Sequence, residues 1–132
     1  MKKEKVLIVT ANYYPKISKQ LKKGAIKILT TKINYNEIII PGVFEIPVVI
    51  SRNINFYDGF VALGCVIKGK TPHFELISKA VTNALMYLSI IHKKPIGNGI
   101  ITCLNKKQAL ERVNKGREAS LAVKKVFLNK HV

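Results

Sequence analysis

Alternation of short apolar runs with longer amphipathic stretches predicts an α/β fold, a three-layer α/β/α sandwich around a central four-stranded parallel sheet. Four apolar runs have the length of strands, and the stretches between them repeat apolar residues at helical spacing. The run GFVALGCVI (Gly59–Ile67) is almost continuously apolar, as expected for a strand that is covered on both faces. Right-handed crossovers would then give a doubly wound, flavodoxin-like arrangement.

The first half of the chain is predicted to contain two strands and two helices. Residues 6–10 form an apolar run that is long enough for a buried strand and too short for a helix. Residues 18–29 repeat apolar residues at helical spacing between lysines, and residues 37–40 form the second strand. Residues 43–54 are predicted to form a helix, and Pro47 is compatible with it because the proline falls within the first turns, where a missing N–H costs little.

The second half continues the alternation. The third strand covers residues 59–67, residues 76–91 form a long amphipathic helix, and residues 95–104 contain the fourth strand. The chain from Lys106 onward is predicted to be mostly helical, with an interruption near Asn114 and Gly116.

Length and composition indicate a single soluble domain over residues 1–132. Of the 132 residues, 48% are hydrophobic, which is enough for a core and excludes disorder. No apolar run approaches the ~20 residues of a membrane helix. The four apolar residues after the basic N-terminus are too few for an export signal. We therefore expect a cytoplasmic protein without a membrane partner.

The charge balance favours anionic partners. The sequence has 23 basic and 7 acidic residues, a formal net charge of +16. Only three of the basic residues are arginine, the residue that nucleic-acid readers prefer, and the lysines are scattered in ones and twos. The excess suits anionic small molecules and does not require nucleic acid.

Cysteine, histidine and glycine patterns predict neither a metal nor a cofactor. Cys65 and Cys103 lie in apolar runs without C-x-x-C spacing, so we expect small core residues on neighbouring strands. The three histidines and seven acidic residues lack metal-ligand spacing, and no glycine-rich nucleotide motif is present.

Polar, aromatic and glycine residues follow the predicted strands. Ligands of parallel α/β sheets gather at the carboxyl ends of the strands. Asn12-Tyr13-Tyr14-Pro15 follows the first strand, Pro41-Gly42-Val43-Phe44-Glu45 the second and Lys68-Gly69-Lys70-Thr71-Pro72-His73 the third, while Asn98 lies in or beside the fourth. Taken singly, Tyr13 could pack over the sheet edge, Phe44 could be core and Glu45 an exposed early-helix carboxylate. Together they indicate a binding site.

The turn after the third strand is the most informative. Thr71 is a natural N-cap and Pro72 a natural first helical residue, so the preceding backbone amides could bind a phosphate, with Lys68 or Lys70 adding charge. His73 would lie in the first helical turn beside that anion, where an imidazole can pass protons near neutral pH. A capping or surface role for His73 is the alternative.

Arg112 also has two interpretations. It could belong to an intrahelical pair, Gln108 with Arg112 or Lys107 with Glu111. It could instead form a bidentate fork on a phosphate, for which arginine is better suited than lysine. The residues alone leave both open.

Several segments resemble one enzyme family. Pro41-Gly42-Val43-Phe44-Glu45-Ile46-Pro47, the segment from Ala62 to Phe74 (ALGCVIKGKTPHF), PIGNGIIT from Pro95, QALER from Gln108 and Asn114-Lys115-Gly116 occur in order. Together they resemble the 6,7-dimethyl-8-ribityllumazine synthase family over nearly the whole chain.

The resemblance implies an activity and its residues. The family condenses 5-amino-6-(D-ribitylamino)uracil with 3,4-dihydroxy-2-butanone 4-phosphate, releasing phosphate and water, in the penultimate step of riboflavin biosynthesis. His73 matches the proton-transferring histidine, and Tyr13 falls where an aromatic ring stacks on the pyrimidine. The family's residues that bind the uracil and the ribityl chain match Val43, Phe44, Glu45 and main-chain groups of Cys65, Val66 and Ile67. Its phosphate-binding residues match Lys70, Thr71 and Arg112. Two further matches, Asn98 and Lys115, approach the ligand.

The resemblance also implies an assembly. In this family the site forms between neighbours of a pentameric ring, one chain supplying Tyr13 through His73 and the next Asn98 and Arg112. Only Val113 separates Arg112 from Asn114, where many relatives carry a glycine-containing insert linked to icosahedral shells. This favours a homopentamer over a shell.

Two other functions remain as alternatives. A non-catalytic flavodoxin-like module that binds flavin or lumazine would share the fold, whereas a receiver module would need several aspartates and the chain has only Asp58. Nucleic-acid binding driven by the net charge lacks a basic motif interleaved with aromatic residues.

Overall fold

Strands and helices alternate along the computed structural model, which describes residues 3–29, 32–70 and 72–129. The strands are β1 (Lys5–Ala11), β2 (Asn34–Ile40), β3 (Gly59–Ile67) and β4 (Ile96–Cys103). The helices are α1 (Pro15–Leu29), α2 (Ile46–Arg52), α3 (His73–His92), α4 (Lys106–Glu111) and α5 (Lys115–Leu128), and a 3₁₀ turn (Val43–Glu45) precedes α2. This confirms the predicted α/β class.

The four strands form one parallel sheet in the order β2-β1-β3-β4. Thr10 of β1 pairs with Ile39 on one side and Leu63 on the other, near the carboxyl ends of the three strands. The chain places β2 on one side of β1 and then β3 and β4 on the other, so the strand order reverses its direction between β1 and β3. In doubly wound sheets the ligand crevice opens at such a switch point. The topology is flavodoxin-like, as predicted.

Helices cover both faces of the sheet. Leu21 of α1 and Val123 of α5 are buried in the cluster on one face, and Ile50 of α2 and Leu85 of α3 in the cluster on the other. The strand β3 is buried from its first residue through Cys65, as its apolar run predicted. The structure thus has the three layers expected from the sequence.

Several boundaries differ from the sequence prediction, including the start of α1 at Pro15 rather than at residue 18. The predicted helix over residues 43–54 is divided, because the chain enters α2 through the 3₁₀ turn and leaves the helix at Arg52. The strand β2 begins at Asn34 rather than at residue 37. Pro72 precedes α3 instead of opening it, since its ψ of 3° lies outside the helical region, and Thr71 lies outside the described residues. The interruption between α4 and α5 occurs where it was predicted.

Cys65 and Cys103 are buried on the neighbouring strands β3 and β4, which confirms their predicted place in the core. Burial, together with the adjacent Cys103, raises the pKa of the Cys65 thiol to about 12.

The helix α3 is apolar over much of its length. By length and composition it is one candidate for a membrane span, with a mean hydropathy of 1.3 over its most apolar window, of which 17% is buried. One such helix is weak evidence for a span. Its exposed apolar side chains include Met86, Tyr87, Ile90 and Ile91.

Candidate active site

A cleft of about 500 Å³, here called the histidine cleft, opens at the carboxyl ends of β1, β2 and β3. It lies at the switch point of the sheet, where its walls come from three successive strand-to-helix connections. Its lining residues are Tyr13, Tyr14, Pro41, Gly42, Val43, Phe44, Glu45, Val66, Ile67, His73 and Ile77.

Two tyrosines form one wall of the histidine cleft. The turn after β1 is held by the Asn12 backbone N–H, which donates to the Ile40 carbonyl oxygen at 2.9 Å. The rings of Tyr13 and Tyr14 meet edge to face, with centroids 5.0 Å apart. The Tyr13 ring is 72% exposed and could stack on a flat ligand, whereas burial raises the pKa of the Tyr14 hydroxyl.

The 3₁₀ turn before α2 also lines the histidine cleft. Val43 is buried against β3, where Gly64 leaves room for it: a Cβ at Gly64 would lie 2.7 Å from Val43 Cγ2. With Val43 anchored, Phe44 is 63% exposed at the cleft. The Glu45 backbone N–H donates to the Gly42 carbonyl oxygen at 3.3 Å, and the Glu45 carboxylate folds back towards Gly42. The turn therefore presents an aromatic ring and a carboxylate to the same space.

The carboxyl end of β3 and the start of α3 complete the histidine cleft. Val66 and Ile67 line it, while the Cys65 side chain packs in the core on the α1–α5 face, so only main-chain groups of Cys65 can serve a ligand there. His73 begins α3 and is exposed at the cleft. Lys70 is exposed outside the lining.

The second cleft, here called the arginine cleft, has a volume of about 880 Å³ and lies between α3, β4 and the α4–α5 junction. Asn98, Arg112 and Lys115 line it. Asn98 Oδ1 accepts a hydrogen bond from the Ile100 backbone N–H at 3.0 Å, and Arg112 Nη1 donates to the Thr102 carbonyl oxygen at 2.8 Å. The expected alternative pair between Gln108 and Arg112 does not form, because both side chains bond to backbone groups instead.

Ten of the thirteen site residues expected from the sequence line one of the two clefts; the Cys65 side chain and Lys70 line neither, and Thr71 lies outside the described residues. Seven of them (Tyr13, Val43, Phe44, Glu45, Val66, Ile67 and His73) surround the histidine cleft, and three (Asn98, Arg112 and Lys115) surround the arginine cleft. Within the described ranges no residue lines both clefts. One subunit therefore carries these two groups of residues in separate clefts.

Sequence reasoning missed several lining residues. Tyr14 and Ile77 line the histidine cleft, and Phe74 and Ser78 line the arginine cleft. Ile77 lies one helical turn after His73, a spacing that could have indicated it. No pattern in the sequence indicates that Phe74 lines a different cleft from its neighbour His73.

Comparison with known proteins identifies the family. The profile described as 6,7-dimethyl-8-ribityllumazine synthase matches residues 3–130. A protein of that name from Bartonella tribocorum is 46% identical over 141 residues, covering 96% of this chain and 93% of the relative. Those from Bartonella bacilliformis and Agrobacterium fabrum are 43% and 40% identical, covering 86% and 87% of this chain and 78% and 83% of their own lengths. The chain therefore belongs to the 6,7-dimethyl-8-ribityllumazine synthase family, which confirms the enzyme class and the riboflavin-pathway function expected from its sequence motifs.

Proposed function

We propose that the chain condenses 5-amino-6-(D-ribitylamino)uracil with 3,4-dihydroxy-2-butanone 4-phosphate at a site made by two subunits. The histidine cleft of one subunit faces the arginine cleft of its neighbour across this site. The observation that carries the proposal is the separation of the two groups of site residues within one subunit. Neither cleft alone combines a histidine with an arginine.

The histidine cleft suits the pyrimidine substrate. Tyr13 and Phe44 are exposed aromatic residues that line this cleft, and a flat heterocycle can stack on such rings. The Glu45 carboxylate can accept hydrogen bonds from ribityl hydroxyls, and main-chain groups of Cys65, Val66 and Ile67 offer the paired donors and acceptors that a uracil edge requires.

The phosphate of the second substrate would lie between Lys70 and Thr71 of one subunit and Arg112 of the next. Lys70 is exposed beside the start of α3. The Arg112 guanidinium has five N–H donors and bonds to the Thr102 carbonyl oxygen through Nη1, so its orientation is held while other donors can address a phosphate. Asn98 and Lys115 line the same cleft and would contact the ligand from the Arg112 side.

The chemistry requires orientation and proton transfer. The attacking amine and the carbonyl both come with the substrates, so no protein nucleophile is needed. Holding the two reactants in contact can lower the barrier by about 7–11 kcal/mol. His73, at the cleft and next to the phosphate turn, would move the protons of imine formation, phosphate elimination and ring closure, for a further gain of about 10²–10⁴-fold.

The apolar face of α3 suits a subunit contact. Tyr87, Ile90 and Ile91 are each more than half exposed, and the same helix borders both clefts. A contact along α3 would bury this surface and bring clefts of two subunits together. A cyclic assembly repeats one such contact, and the family resemblance implies five subunits, so we propose a ring of five subunits in the cytoplasm rather than a shell. The short junction of three residues between α4 and α5 is consistent with the ring that the resemblance favours.

The test of function is turnover by the purified protein. Mixing the two substrates with it should produce the lumazine absorbance together with one equivalent of phosphate. Tight binding of lumazine or flavin without turnover would instead support the non-catalytic alternative. Light scattering should give five times the mass of one chain, and a monomer that turns over at full rate would contradict the shared site.

A further inference from the structure

The helix α4, which carries Arg112 at its C-terminal end, is too short to hold its own orientation. It has six residues, Lys106–Glu111, and Ala109 is the buried one among them. Isolated helices well below about 12 residues are marginal in water. The direction of Arg112 must therefore depend on how the two ends of α4 are attached.

A reciprocal pair of side-chain bonds attaches the N-terminal end. Asn105, the N-cap, accepts a hydrogen bond from the Gln108 backbone N–H through Oδ1 at 2.8 Å. The Gln108 side chain reaches back, and its Oε1 accepts from the Leu104 backbone N–H at 2.8 Å. The pair resembles a capping box. The difference is that the Gln108 side chain accepts from the backbone N–H of the residue before the N-cap, on the β4 side, instead of from the N-cap itself.

Arg112 attaches the C-terminal end to the same strand. Its backbone N–H donates to the Ala109 carbonyl oxygen at 3.0 Å, and its Nη1 donates to the Thr102 carbonyl oxygen at 2.8 Å. Thr102 is two residues before Leu104, where the first attachment ends. The helix is thus fastened at one end to Thr102 of β4 and at the other to Leu104, just after the strand, and the two attachments together fix the guanidinium.

We propose that Asn105 and Gln108 are positioning residues for phosphate recognition by Arg112, an inference that rests on the proposed function. Neither side chain lines the arginine cleft, so neither contacts the substrate in the shared site. They act by holding α4 against β4 in the orientation that directs Arg112 towards the neighbouring subunit. Loss of either bond lets the short helix pivot about Ala109 and moves the guanidinium away.

The experiment compares KM values for the two substrates. Gln108→Ala and Asn105→Ala should each raise KM for the butanone phosphate about fivefold, which is the factor that corresponds to the typical free energy of a lost N-cap contact. KM for the pyrimidine should stay unchanged. Asn105→Ser, which keeps a neutral N-cap acceptor, should restore the wild-type KM. Asn129→Ala, which removes an exposed side-chain bond to the Lys125 carbonyl oxygen far from the clefts, is the matched control and should change neither KM.

A double-mutant cycle separates positioning from a general loss of structure. In an Arg112→Ala background, Gln108→Ala should add no further increase in KM for the phosphate substrate. The inference would be overturned if the effects of Gln108→Ala and Arg112→Ala on KM for the phosphate substrate were fully additive. It would also be overturned if Gln108→Ala raised the KM values of both substrates equally. If Gln108→Ala unfolds the protein, Asn105→Ala and its Asn105→Ser partner decide alone. A wild-type chain without turnover, or an Arg112→Ala variant with an unchanged KM, would instead refute the proposed function.

Discussion

His73 and Phe74 are neighbours at the start of α3, yet His73 lines the histidine cleft and Phe74 lines the arginine cleft. Successive side chains of an α-helix point about 100° apart, so the first turn of α3 serves both clefts at once. The helix is therefore a wall shared by the two clefts. In the proposed ring, this geometry would let one subunit contribute to the sites on both of its sides.

Replacing the histidine should slow the reaction without abolishing it. We expect His73→Ala to lower kcat by about a hundredfold or less, because substrate orientation survives the loss of a proton carrier. Steady-state kinetics measure this directly. His92→Ala at the other end of the same helix is the matched control and should retain wild-type kcat. Wild-type kcat in His73→Ala would remove the histidine from the mechanism.

Replacing the arginine should affect one substrate selectively. Arg112→Ala should raise KM for the butanone phosphate at least tenfold and change KM for the pyrimidine little, because a charge-assisted fork contributes roughly 1.5–3 kcal/mol. Arg117→Ala, which removes an exposed arginine outside both clefts, is the matched control. Equal effects on both substrates would show that Arg112 does not recognise the phosphate.

Filling the space at Gly64 should disturb the wall that carries Phe44. In Gly64→Ala the new methyl group would lie 2.7 Å from Val43 Cγ2 and 3.2 Å from Ala11 Cβ, so the 3₁₀ turn must move. We expect a loss of about 1–3 kcal/mol in the free energy of unfolding and a raised KM for the pyrimidine. Gly69→Ala meets nothing within 4 Å and should leave the free energy of unfolding unchanged. Equal stability of the two variants would contradict this packing.

The Cys65 thiol should make stability fall at alkaline pH. Its pKa is raised to about 12, mainly by burial, whereas an unfolded cysteine ionises near its ordinary value of 9.0. Between these values the unfolded chain loses a proton that the folded chain keeps, so the free energy of unfolding declines as pH rises through this window. Denaturant unfolding at about pH 8 and about pH 10.5 should show a smaller decline for Cys65→Ala than for the wild type. An identical decline would show that the thiol does not contribute.

The sequence patterns predict the parts of the fold that are decided by burial. The strand β3 is apolar throughout because helices cover both its faces, and its run predicts it correctly. The first three residues of β2 were missed because they are exposed at the sheet edge and carry no apolar signal. The 3₁₀ turn was missed because residues 43–45 resemble the first turn of a helix that continues into α2. The packing of Val43 against Gly64, a residue distant in sequence, is not visible in any local pattern.

The site was harder to derive than the fold. The strand ends predict that Tyr13, Phe44 and His73 lie close together, since the carboxyl ends of parallel strands meet at one edge, and the three residues line one cleft. Arg112 remained ambiguous because its partner is a backbone carbonyl, that of Thr102, which no side-chain pattern encodes. Its separation from His73 depends on the path of the chain around α3, which only the three-dimensional structure shows.

Subunit mixing tests the shared site most directly. Subunits carrying His73→Ala and subunits carrying Arg112→Ala would be unfolded together in equal amounts, refolded and assayed beside each parent treated alone. The butanone phosphate would be kept well below its KM, so that both parents are only weakly active. Random assembly should place an intact histidine cleft opposite an intact arginine cleft at about a quarter of the sites, restoring about a quarter of wild-type activity. Activity no higher than the mean of the two parents would show that His73 and Arg112 act within one subunit, and would contradict the account.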